Sequence, residues 1–474
     1  MKKAWLIFGA LALTGCANLS DMAGEPVAVF PVAPEAPESW AAAGVTGEAP
    51  EGDWLAQFND PAMEALVAET LQANPDLRGQ YFTVQSARAQ ARGVYGRSLP
   101  NVTAGGSAGV ATTYNEALDE RFTDPTYSLG ADASWTADLW GRIGKGIEAA
   151  EATLAATRAD YDSARLSLAA QTAIAWTDLN EAVAQETVAV QTVEARERVL
   201  KLTERRLARG LTEALDVRLA RSALATAEAS VASRRQARGN AVRRLEILVG
   251  RYPANEIEAP GVLPDLAPIR DAGTPVMLLS RRPDVAAAEA RVRAAGLRAE
   301  QARLALLPSL TLTASANTNE TDLGDVLDPT RIAANAIASL AQPVFNGGAL
   351  RADRDAAIAD AEAALSGYAA NVLVAWRETE DAIAADRWLA RQVEAQQRAL
   401  DEAVEAEELA TRQYSNGLIT IFNLVDAQTR RLNAESTLIA ARSARVSNRI
   451  AFHLAIGGGI PGEPGSEISD IIAP

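Results

Sequence analysis

The strongest constraint on the fold is a repeat. Asn74-Pro75-Asp76 is matched by Arg282-Pro283-Asp284, and Leu99-Pro100 by Leu307-Pro308, both 208 positions later. Trp140-Gly141 is matched by Gly347-Gly348, Tyr161 by Tyr368, and Arg209-Gly210-Leu211 by Asn416-Gly417-Leu418, each 207 positions later. A nearly constant offset over these landmarks means that the chain is two copies of one unit of about 200 residues. The copies are read as 61–260 and 281–457, with a Pro-containing connection at 261–280.

Each copy reads the same way. Residues 76–98 are rich in Ala, Arg and Gln and predict a helix that stops before Pro100, since a proline disfavours helix at the residue before it. Beyond Pro100, Val102, Ala104, Ala108 and Val110 alternate with Thr103, Ser107 and Thr113, a strand pattern loosened by glycine. A polar segment, Asn115 to Pro125, leads to a second strand at Thr126–Ala137, which makes 100–137 a hairpin. The second copy predicts a hairpin at 308–344, with strands Ser309–Asn319 and Ile332–Val344 around a polar loop at Asp322–Pro329. Between Arg142 and Arg209 there is no Pro and, after Gly146, no Gly until position 210. Such a stretch predicts one helix of about 100 Å at 1.5 Å per residue. Residues 350–415 repeat it, interrupted only by Gly367. Ile147, Leu154, Tyr161, Leu168, Ala175, Ala182 and Ala189 recur every seven residues, as do Ala361, Tyr368, Ala375, Ala382 and Leu389; a sustained period of seven implies coiled-coil packing. Gly210 and Gly417 are helix stops before return helices at 212–250 and 419–456.

The ends carry an address. Lys2 and Lys3 precede an apolar run, Ala4 to Leu13, too short to span a bilayer. It closes with Leu13-Thr14-Gly15-Cys16, which resembles a bacterial lipobox: residues 1–15 read as a signal peptide and Cys16 as the lipid-modified first residue of the mature chain. Acyl chains contribute about 0.8 kcal/mol per buried CH₂, so two or three hold a protein on a membrane. Ala17 after the cysteine implies sorting to the outer membrane. Residues 16–60, rich in Pro, Ala, Gly and Glu, read as a lipidated extended linker, and 458–474 as a flexible tail. No stretch of about 18 apolar residues follows, so a membrane crossing has to use β-strands.

Composition removes most other functions. With 45 Lys plus Arg against 61 Asp plus Glu, the net charge of −16 disfavours nucleic-acid binding. One cysteine and one histidine, His453, argue against a disulfide framework or a His-built metal or catalytic site. Carboxylates sit on helices near Arg, as Glu204 does beside Arg205 to Arg209, and read as solvated ion pairs. Gly347-Gly348 lacks the Lys and Ser/Thr of a phosphate loop. No catalytic constellation assembles, and neither a cofactor nor a metal is expected.

Four strands per chain cannot close a barrel, and open edges are not tolerated in hydrocarbon; a dimer supplies eight strands and a trimer twelve. Taken with the lipobox, the duplication, the DLWGR run at Asp138–Arg142, the QPVFNGG run at Gln342–Gly348 and YSNGLITIFNLVDAQ at Tyr414–Gln428, the chain resembles the TolC/OprM family of outer-membrane efflux proteins, in its NodT-like lipoprotein branch. The resemblance covers nearly all of the mature chain. It implies a mainly helical fold with a β-barrel part: a homotrimer with a twelve-stranded barrel in outer-membrane lipid and a coiled-coil tunnel in the periplasm. It also implies a periplasmic adaptor and an inner-membrane pump of the RND type as partners. It puts Arg209-Gly210-Leu211 and Asn416-Gly417-Leu418 at the periplasmic tip, where the adaptor makes contact. It also puts a gate on the helix beyond the second turn, with Phe422 in an apolar ring and Asp426 in a carboxylate ring, while Asn423 stands where some members carry another acid. Phe422 and Asp426 are four apart and share a helical face. Without the resemblance, Phe422 reads as interhelical packing and Asp426 as a surface ion pair. The expected function is passive export of drugs or other small molecules; the rival is a lipid-anchored coiled-coil scaffold that conducts nothing.

Overall fold

The computed structural model describes residues 35–42, 52 and 54–459. The lipobox with Cys16 and the tail beyond Gly459 lie outside the described residues. After a short 3₁₀ turn at Trp54–Phe58, the order is α1 (Pro61–Ala73), α2 (Pro75–Gly96), β1 (Asn101–Asn115), β2 (Glu120–Ala137), α3 (Arg142–Ala208) and α4 (Ala214–Val249). It then recurs as α5 (Pro275–Arg281), α6 (Pro283–Leu304), β3 (Ser309–Glu320), β4 (Ala333–Ala341), α7 (Ala349–Ser415) and α8 (Ile421–Ala455). No described helix is long and apolar enough to cross a membrane.

Local chemistry explains the repeated landmarks. Asn74 Oδ1 accepts from the Asp76 and Leu77 amides and starts α2, while its Nδ2 donates to Leu248 O in the last turn of α4 at 2.9 Å. Arg282, its counterpart, donates to Ala455 O in the last turn of α8 at 3.1 Å and forks onto Asp284 and Glu378. Different side chains thus cap equivalent carbonyls. In the DLWGR run, Asp138 accepts from the Ile143 and Gly144 amides at the start of α3, Gly141 turns the chain at φ +79°, and Trp140 Nε1 donates to Pro308 O at 2.7 Å. A carboxylate at a helix start satisfies donors that have no partner within the helix. In the QPVFNGG run, Gln342 Nε2 donates to Leu306 O and Gly347 and Gly348 take φ +68° and +86°. Both runs are strand-to-helix junctions.

The chain divides into two compact units that cut across the copies. One holds Thr83–Arg158 and Ala287–Ala370, hence both hairpins. Its sheet is antiparallel in the order β1-β2-β3-β4, and alanines of α6 and α7 (Ala295, Ala299, Ala361) pack closely within it. The other holds α1, most of α3, α4, α5, most of α7 and α8. Its core joins Trp54, Leu55, Phe58, Met63 and Val67 to Ala169, Ala173, Trp176 and Leu179 of α3, Leu245 and Val249 of α4, and Val446 and Ile450 of α8. The sevenfold positions of α3 and α7 are all buried or half-buried.

Several boundaries differ from the sequence reading. Strand β2 begins at Glu120, not Thr126, and contains Pro125 opposite Val110. A proline lacks the amide that a two-sided strand needs, but β2 meets β3 only from Tyr127 onward, so at Pro125 one side is unpaired. Strand β4 ends at Ala341, short of Val344, because Gln342 turns toward Leu306. Helix α2 ends at Gly96, not 98. Part of the linker is docked: Trp40 is buried and donates to Gly273 O at 2.9 Å, and Glu380 accepts from the amides of Ala41 and Ala42 at 2.6 and 2.8 Å. Trp54 stacks on His453 with ring centroids 5.6 Å apart.

Candidate functional site

The candidate site is the pair of helical turns, α3–α4 and α7–α8. Both end their long helix in one motif. Gly210 takes φ +69°, with its amide on Leu207 O and the Leu211 amide on Arg206 O, each at 2.9 Å. Gly417 takes φ +78°, with its amide on Tyr414 O at 3.0 Å and the Leu418 amide on Gln413 O at 2.9 Å. This paired arrangement closes a helix around a left-handed residue, where glycine is favoured for want of a Cβ. Leu211, Asn416 and Leu418 are exposed, as is Arg209.

One side chain of the first turn fastens the second. Arg206 Nη1 donates to Tyr414 O at 2.8 Å and Ser415 O at 3.1 Å, and its guanidinium lies 5.0 Å from the Tyr414 ring centroid. These carbonyls lie at the end of α7, where Tyr414 O also accepts from the Gly417 amide, so a cation there adds charged hydrogen bonds and meets the negative end of the helix dipole. Tyr414, 1% exposed, also shares a hydrogen bond with Thr203 Oγ1 at 2.9 Å and packs with Val199, Ile421 and Leu424. Farther along, Arg196 donates to Gln428 Oε1 at 2.8 Å and Thr429 Oγ1 at 2.9 Å. Burial pushes this guanidinium below its ordinary range, and Glu407 partly offsets the effect. Sequence reading missed Thr203 and Arg196, and it placed Arg206 in a run of solvated ion pairs with Glu204, whereas Glu204 pairs with Arg221 and Arg206 serves backbone carbonyls. Their partners lie more than 200 positions away, and only their place beside the repeated turns pointed to them.

Phe422 is 72% exposed and therefore not packed between helices of its own chain. Asp426 lies on the same face of α8 and meets Arg430 at 2.8 Å, both exposed. The acidic position thus carries its own counter-charge one turn on, which the spacing of four made readable. Asn423 accepts from Thr420 Oγ1 at 2.8 Å near the start of α8. Among the described residues no group of His, Cys, Asp and Glu is arranged to hold a metal.

The outer membrane efflux protein family model matches residues 66–251 and 274–458, one stretch in each copy. The chain belongs to the outer membrane efflux protein family. The pyoverdine export outer membrane protein OpmQ of Pseudomonas aeruginosa is 30% identical over 97% of both chains. The cation efflux system protein CusC of Escherichia coli K12 is 27% identical over 95% of this chain and 98% of its own. The solved outer-membrane channel OprN superposes with a TM-score of 0.84 at 28% identity, over 91% of this chain and all of that one. As a family member the chain is an outer-membrane efflux channel, and its fold combines a helical part with a contribution to a β-barrel.

Proposed function

We propose that three copies of the chain form the passive outer-membrane duct of a tripartite exporter, fed by an RND-type inner-membrane pump through a periplasmic adaptor. The observation that carries this reading is the sheet itself. Its outer strands, β1 and β4, each pair on one side only. Its rows Val102-Ala133-Ala314-Ala336 and Ala104-Ala131-Ala316-Ala334 are apolar throughout. An apolar face belongs in lipid, where an unpaired edge does not survive, so joining four strands from each of three chains into a closed twelve-stranded ring resolves both demands.

The lipid anchor at Cys16 and the gate at Phe422 and Asp426 belong to the same proposal. Exposure of Phe422 favours a role toward the pore or a second copy, and three Phe422 rings would narrow the opening. The turns at Arg209–Leu211 and Asn416–Leu418 present their exposed side chains to the adaptor. The names of the relatives range from pyoverdine export to cation efflux. Such a range suits a duct whose partners choose the cargo.

Single-channel recording of the purified protein in a planar bilayer tests the reading. Discrete conductance steps are expected, larger in Phe422→Ala/Asp426→Ala. A folded protein that gives none would favour the non-conducting scaffold, and a folded double variant with parental conductance would remove the gate. Native mass spectrometry checks the trimer, and mass analysis of the mature amino terminus checks Cys16, where an unmodified thiol would end the anchor.

A further inference from the structure

Where all four strands pair, Asp132 is the one charged residue away from a strand end; Glu320, which closes β3, is held by Arg331 at 3.0 Å. Asp132 stands opposite Thr103 on β1 and Ser315 on β3, and Ser315 stands opposite Asn335 on β4. One row across the sheet therefore reads Thr103-Asp132-Ser315-Asn335. On the same face the nearest positions are Gly130, Ser134, Gly105, Thr313 and Asn317, all uncharged, and Asp132 itself is exposed. The rows immediately before and after are the Ala/Val rows described above. Side chains alternate along a strand, so those rows and Asp132 lie on opposite faces. If the Ala/Val face meets lipid, Asp132 faces the interior.

We propose that Asp132 lines the barrel lumen, where its symmetry copies form a carboxylate belt that favours the passage of cations and cationic solutes through the outer-membrane part of the duct. The assignment rests on the barrel reading above. It is independent of Asp426, which lies in the other compact unit and has Arg430 as counter-charge. No basic side chain stands beside Asp132 in the sheet to cancel its field.

Two measurements on the full-length protein test it. In lipid vesicles, a membrane-impermeant sulfonate thiol reagent should label Asp132→Cys about tenfold faster than Ala131→Cys or Ala133→Cys, following the alternation of lumen and lipid faces; the parent, with Cys16, is the control. In planar bilayers under a KCl gradient, Asp132→Asn should lower the cation-over-anion permeability ratio by about twofold near 0.01 M, where the screening length is about 30 Å, and leave it unchanged near 1 M, where it is about 3 Å. Sulfonate labelling of Asp132→Cys should restore the parental ratio. Equal labelling at all three positions, or a parental ratio for a conducting Asp132→Asn at low salt, overturns the assignment and leaves the duct standing. If the parent itself never conducts, the barrel reading falls and takes this assignment with it.

Discussion

At the α3–α4 turn the Leu211 amide reaches Arg206 O, and at the α7–α8 turn the Leu418 amide reaches Gln413 O, each at 2.9 Å around a left-handed glycine. Shifting the first turn by 207 positions superposes these bonds, yet the side chains around them have parted. Leu207, 37% exposed, corresponds to Tyr414, 1% exposed. Leu215, Leu219 and Ala223 correspond to Phe422, Asp426 and Arg430. The first copy thus keeps an apolar stripe where the second carries an aromatic ring and a paired charge. Duplication preserved the backbone solution, which glycine geometry dictates, and freed the side chains to divide the work: the first turn supplies Arg206 as fastener, and the second supplies the face that the gate proposal needs.

The two turns should differ most when the corresponding pair is truncated. Tyr414→Ala removes a buried ring and its hydroxyl bond and should destabilise the turn region by about 3–5 kcal/mol, whereas Leu207→Ala should cost less than about 1 kcal/mol. Amide exchange around residues 410–425 for the first variant and around 203–218 for the second measures the two costs, and equal effects would mean that the two turns are not differentiated. Arg206→Ala should come next, at about 1.5–3 kcal/mol, since it deprives two helix-end carbonyls of a charged donor. Exchange should accelerate roughly tenfold or more at Ser415–Leu418, one factor of ten per 1.4 kcal/mol, with Gln413→Ala nearly silent at the first turn.

Smaller differences between the two turns are expected at the charge pair. Arg430→Ala should leave Asp426 uncompensated and raise cation preference, whereas Asp426→Ala should lower it; reversal potentials in a bilayer read both signs. Leu219→Ala, at the corresponding place in the first copy, should leave selectivity at the parental value. Smallest of all, the exposed Asp426–Arg430 pair itself should contribute almost nothing to folding, because solvent screens it. A double-mutant cycle in thermal unfolding that returned a clear coupling between the two would mean that the pair is buried in the assembly.

What the sequence made legible follows the strength of its punctuation. The long helices were readable nearly to the residue, because proline is absent from them and glycine marks their stops at Gly210 and Gly417. The strands were less so. Ala and Gly have weak strand preference, and Pro125, loop-like by residue type, occupies a strand position that β3 does not reach. Docking of Trp40 to Gly273 O, 233 positions away, leaves no trace in a stretch whose composition is that of a linker. The same distance problem hid Arg206 from Tyr414. Asp132 differs again: its row becomes visible only once the register across all four strands is known.

The unpaired edges of β1 and β4 also have a genetic consequence. If three chains must meet before any sheet edge is satisfied, a variant that assembles but blocks the lumen acts on its neighbours as well as on itself. With equal amounts of parental and blocked chains mixing at random, only about one ring in eight is wholly parental. Inhibition by co-expression should therefore be steeper than dilution of the parent, and a poison subunit should outperform the loss of half the gene dose.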